Sequence, residues 1–168
     1  MSRETVDDSA LQAGIVDRLS GGAALFGGYV VLATGGLIVS SISARWLFAT
    51  SVPGDVELIQ TATAIAAFAF LPLGQITRST IVVDTFTKRL SNRACLRIDA
   101  LWDLVYAVVA LFLSWRLAIG AFDALRSNTI TTVLGLPIGW PMIVSTIFLV
   151  LLAAAAATMV IRESRSSL

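Results

Sequence analysis

The sequence contains no histidine, a single cysteine and few charged residues. Without histidine there is no His-ligated haem, no common zinc site and no His-based acid/base catalysis. One cysteine, Cys95, excludes an internal disulfide and an iron–sulfur cluster held by cysteines. Only 14% of the 168 residues are charged, against about 25% in a soluble domain. The 12 Lys and Arg nearly balance the 11 Asp and Glu, so there is no basic footprint for nucleic acid. These shortages leave little with which to build an enzyme, and none is expected. What the chain has instead is apolar residues, 57% of the total, with a mean hydropathy of +0.85. Such a chain forms one domain, most of it in lipid.

A helix crosses the hydrocarbon with about 20 apolar residues. Residues 19–44 carry no charge, and neither do 58–77; residues 104–122 are interrupted only by Arg116, and 127–161 are again uncharged. The last stretch opens with polar residues, so its span is placed from Pro137, whose missing N–H suits a helix start. The expected fold is therefore an all-α membrane protein of four transmembrane helices, with spans at about 22–44, 58–77, 99–122 and 137–161. Residues 1–18 form a short tail and 19–168 one transmembrane domain. The acidic residues Glu4, Asp7, Asp8 and Asp17 and the length of the first apolar stretch do not fit a cleavable signal peptide.

Lysine and arginine beside the spans set the orientation. Arg3, Arg18, Arg78, Lys88, Arg89, Arg93, Arg97, Arg162 and Arg165 fall on one side, and Arg45, Arg116 and Arg126 on or toward the other. Both termini and the middle connection are thus expected in the cytoplasm. Trp46, Trp115 and Trp140 mark one interface, and Trp102 with Tyr106 the opposite one. In the middle connection Val82, Val83, Phe86 and Leu90 recur at helical spacing with Lys88 and Arg89 opposite, which predicts an amphipathic helix lying on the membrane surface. Ser91 or Asn92 then caps a long third helix.

Ionisable groups within spans are where transport chemistry is sought first. The first, second and fourth spans have none in their middles, which argues against a proton-exchanging exporter. Arg116 snorkels or pairs structurally, or else contacts a partner. Asp99 and Asp103, four apart on one helix face, bind a cation or share a proton, or else pair with Arg93, Arg97 or a neighbouring chain. Asp123 and Arg126 are spaced as an exposed helix-surface pair. Gly36, Ser40 and Ala44 form a row of small residues in the first span, and Ala153 with Ala157 another in the fourth. Such rows allow close helix packing; Gly27-Gly28 and Gly35-Gly36 could alternatively line a ligand. No cluster of metal ligands, phosphate loop or nucleophile elbow is present. The simplest reading is a subunit of a larger assembly.

A specific order of short motifs runs along residues 20–160. Arg45-Trp46-Leu47-Phe48 ends the first span and Glu57-Leu58 opens the second. Gly74 and Arg78 follow, then Ile81-Val82-Val83-Asp84, and the last connection reads Leu134-Gly135-Leu136-Pro137-Ile138-Gly139-Trp140-Pro141. This order resembles the small membrane subunit of the tripartite ATP-independent periplasmic (TRAP) transporters. The family often has a histidine just before the Ile-x-Val-Asp stretch, where this chain has Thr80, while Asp84 is retained.

The resemblance implies a multi-pass protein of the bacterial inner membrane that works with a large permease subunit and a periplasmic solute-binding protein. Together they import carboxylate-bearing solutes on a sodium gradient. It implies no cofactor in this chain, sodium and substrate in the large subunit, and a scaffold role here. By this reading Arg45 and Glu57 hold the periplasmic turn or meet a partner, with a local ion pair between them as the plain alternative. Arg78 and Asp84 fix the middle connection by pairing or by binding lipid headgroups. Trp140 and Pro137 set the start of the fourth helix, and Asp99, Asp103 and Arg116 stand as further contact candidates. The competing function is an autonomous small multidrug-type or solute transporter acting as a homo-oligomer.

Overall fold

The computed structural model describes the backbone of residues 4–49, 52–77 and 92–166, and side chains within 14–49, 52–77 and 101–162 together with Ile98. It contains four helices: α1 (Glu4–Phe48), α2 (Asp55–Ile76), α3 (Asn92–Arg126) and α4 (Gly139–Ser166). Each has a stretch long and apolar enough to cross a membrane, namely Gly14–Phe48, Asp55–Ile76, Leu101–Arg126 and Gly139–Arg162. The surface helix expected around 82–90 lies outside the described residues, as do Arg78 and Asp84.

Several boundaries differ from expectation, each for a local reason. The 45 residues of α1 run unbroken from Glu4, so residues 4–18 are helical and continuous with the first span; no proline precedes Pro53 to stop them. At 1.5 Å per residue α1 is about 68 Å long, more than twice the hydrocarbon thickness. α3 ends in a Schellman motif: Thr129 N–H donates to Ala124 (3.0 Å) and Asn128 N–H to Leu125 (3.3 Å), with Asn128 at φ 48°. Pro137 is not in α4. It pairs with Ile130 in a single β-bridge, within a tight hairpin where Thr131 N–H donates to Leu136 O at 2.9 Å and Ile138 N–H to Thr129 O at 3.1 Å. Helix α4 starts two residues later, with Pro141 in its first turn, where a missing donor costs nothing. Pro72, inside α2, is fully buried.

Polar contacts show which helix ends lie together. At one end, here the loop end, the Ser41 hydroxyl donates to Asp55 Oδ2 (2.5 Å), tying α1 to α2, and Glu57 of α2 holds the 130–137 hairpin. At the other, the terminal end, Arg162 pairs with Asp17 at 2.7 Å and Gln75 Nε2 donates to Asp103 Oδ1 at 2.7 Å. The helices therefore alternate in direction.

They do not close into a compact bundle. α4 is central, packed along both α3 and α2, and α1 packs chiefly on α2; α2 and α3 share no comparable packing. The seams follow helical spacing, with small residues in α1 and α3 and with leucine and methionine among the small residues of α4. In α1 the seam residues are Ser20, Ala23, Gly27 and Ser41; in α3, Ala110, Ser114 and Ala121; in α4, Ser145, Leu149, Leu152, Ala156 and Met159, all buried. Lipid tails are as apolar as the helices, so association depends on this close fit.

Candidate functional site

The strongest polar constellation is at the loop end and begins with Glu57. This residue sits in the first turn of α2, one turn beyond the Pro53-Gly54 turn, whose Gly54 adopts φ 75°. A Cβ at Gly54 would run into the Leu134 side chain, so glycine is required there both by conformation and by space. The Glu57 carboxylate accepts the backbone N–H of Val133 at 2.7 Å and of Leu134 at 3.0 Å. Two amides on one carboxylate make a charge-assisted clasp across 76 residues of sequence. Arg45, in the last turn of α1, is exposed and makes no ion pair with Glu57 among the described residues. The carboxylate nearest to it in effect is Asp55, already held by Ser41.

Behind the clasp, α2 and α3 diverge on either side of α4 and leave a cavity of about 480 Å³. Ala64 and Phe68 of α2, Leu117 of α3 and Met142 of α4 form its apolar walls, and the hairpin roofs it. Glu57, Gln60 and Thr61 line its upper part.

The other expected contact residues are dispersed. Trp140 stands in the first turn of α4, 62% exposed. Asp103 faces α2 and accepts a hydrogen bond from Gln75; the side chains of Arg93, Arg97 and Asp99 lie outside the described residues. Arg116 is exposed on α3, turned away from the Ala110–Ser114–Ala121 seam. The structure thus gathers Arg45, Glu57 and Trp140 at one end and leaves Asp103 at the other. No group of three or more metal-ligating side chains occurs among the described residues.

The small-residue rows divide between internal seams and outward faces. A Cβ built on Gly36 meets nothing within 4 Å, whereas one on Gly27 would lie 3.1 Å from Ala69 Cβ. Gly27, not Gly36, is where α1 and α2 approach closely. In α4 the buried pair is Ala155 and Ala156, while Ala157 is exposed. A second glycine row was legible in the spacing but not read: Gly14, Gly21, Gly28 and Gly35 recur every seven residues. All four have open space where a side chain would be. A groove of about 410 Å³ runs along Gly21 and Gly28, bounded by Leu25 and Leu32 of α1 and Leu73 of α2.

Residues 34–166 match the family model for tripartite ATP-independent periplasmic transporters, DctQ component. The chain belongs to the DctQ family. The match takes in the last part of α1 and all of α2, α3 and α4. No curated protein and no solved structure matches the chain. Membership makes this DctQ chain the small component of a TRAP transporter.

Proposed function

We propose that this DctQ chain is the fixed scaffold subunit of a sodium-driven importer of carboxylate-bearing solutes. It works with a large permease subunit and a periplasmic solute-binding protein in the bacterial inner membrane. The observation that carries this reading is the outward glycine row of α1, bordered by its groove. A lipid-facing surface gains nothing from glycine, which costs about 1 kcal/mol per residue in a helix. A neighbouring transmembrane helix gains close approach. The large subunit, holding substrate and sodium, seats a helix against this row and moves relative to it, while the four helices of this chain stay in place.

The excess of basic residues at the terminal end sets both termini in the cytoplasm. The Glu57 clasp, Arg45 and Trp140 then form the periplasmic face, where a binding protein docks. Arg78, Asp84, Asp99 and Asp103 lie at the cytoplasmic side, there to steady the middle connection or meet the partner. Arg116 supplies a cation to a partner carboxylate or a lipid phosphate.

The test is uptake into proteoliposomes under a sodium gradient, comparing this chain alone, the large subunit alone, and both with the binding protein. Transport only by the full set, with this chain co-purifying with the large subunit, is the expected result. Solute flux through this chain alone would replace the scaffold with an autonomous transporter.

A further inference from the structure

The cavity behind the clasp has an ordered chemistry. Along one face of α2, Glu57, Thr61, Ala64 and Phe68 follow at helical spacing, and all four line it. Going from the loop end into the membrane, the wall passes from carboxylate to hydroxyl to methyl to phenyl over 11 residues, about 17 Å. Gln60 and Thr61 bring polar side-chain atoms to the cavity without a hydrogen-bond partner among the described residues, and so does Ser145, which is only 4% exposed. A ligand that supplies hydrogen-bond partners to these groups is favoured. No basic side chain lines the space.

We propose that this cavity binds one membrane phospholipid bearing a primary ammonium headgroup. The wedge between α2 and α3, two helices joined nearer the terminal end by the Gln75–Asp103 hydrogen bond, has the polarity of such a molecule. An acyl chain lies against Ala64 and Phe68. The glycerol esters and phosphate take hydrogen bonds from Thr61, Gln60 and Ser145. The ammonium faces Glu57, which keeps its negative charge while holding the hairpin amides. With one carboxylate and no cation in the lining, an anionic headgroup is repelled. The volume of about 480 Å³ lies within the range of small-ligand sites, about 300–1,000 Å³. This site concerns the isolated chain and does not depend on the scaffold reading.

The test is native mass spectrometry of the full chain, purified in mild detergent and offered phosphatidylethanolamine and phosphatidylglycerol at equal concentration. One phosphatidylethanolamine should be retained about three- to fivefold in preference, the factor a single partly exposed charge pair supplies. Ala64→Phe, which fills the wedge, should abolish retention of that lipid, with helix content by circular dichroism confirming the fold. Ser145→Leu serves the same purpose should Ala64→Phe not fold. Glu57→Gln should keep a bound lipid but lose the headgroup preference. Equal retention of both lipids by the unaltered chain overturns the headgroup assignment. Undiminished retention in a folded wedge-filling variant overturns the site.

Discussion

α1 and α4 are similar in composition, both long, apolar and rich in glycine or alanine, yet they use their small residues in opposite ways. In α4 a third of the membrane-spanning window is buried within the chain, against 11% in α1. The alanines of α4 are therefore spent inside, where Ala155 and Ala156 are fully enclosed. Most glycines of α1 face nothing in this chain, and only Gly27 is pressed against a neighbour. A small residue in a membrane helix marks a close approach, but whether the approaching helix is internal is decided by the arrangement of the whole chain.

The largest effect that sharpens this contrast is expected in α4. Ala156→Leu adds three carbons where there is no space, and should lower the stability of the isolated chain in detergent by about 1–3 kcal/mol, read as a fall in thermal midpoint. The matching change in α1, Gly28→Leu combined with Gly35→Leu, should leave that midpoint unchanged or raised. It should instead reduce the large subunit recovered by co-purification severalfold. Unimpaired recovery would remove the glycine row as a docking surface.

Adjacent glycines offer a finer comparison. Gly28→Ala enters open space and should gain up to about 1 kcal/mol from helix propensity. Gly27→Ala puts a methyl 3.1 Å from Ala69 Cβ and should lose that gain, so the two variants separate in thermal midpoint. At the loop end, Glu57→Ala frees the amides of Val133 and Leu134, and hydrogen exchange there should quicken while that in the middle of α4 stays slow. The smallest effect belongs to the terminal end. Arg162 and Asp17 are 41% and 39% exposed, so Arg162→Ala should cost less than about 1 kcal/mol and less still at high salt.

Much of the fold was legible because a bilayer imposes a length. Uncharged stretches near 20 residues had to be helices, and all four are. The clasp was not legible. Glu57 and Arg45 have opposite charges on a short connection, and nothing local shows that the carboxylate turns instead to amides 76 residues away. Nor does anything local to Asp103 show that Gln75 of α2, 28 residues away, reaches it. Pro137 looked like a helix start because proline suits that position; it also suits the hairpin it occupies, whose bridge to Ile130 is a non-local fact.

The sequence by itself determined the number of spans, the absence of histidine chemistry and, through a thinly spread order of motifs, the family. Those follow from composition and from the cost of exposing backbone to lipid, and each residue contributes independently of its neighbours in space. Only the tertiary structure decided which small residues meet inside, that α4 rather than α1 is central, and that α2 and α3 part to leave a cavity. Without a hydrophobic force to draw helices together in lipid, those choices depend on shape, and shape exists only once the helices are side by side.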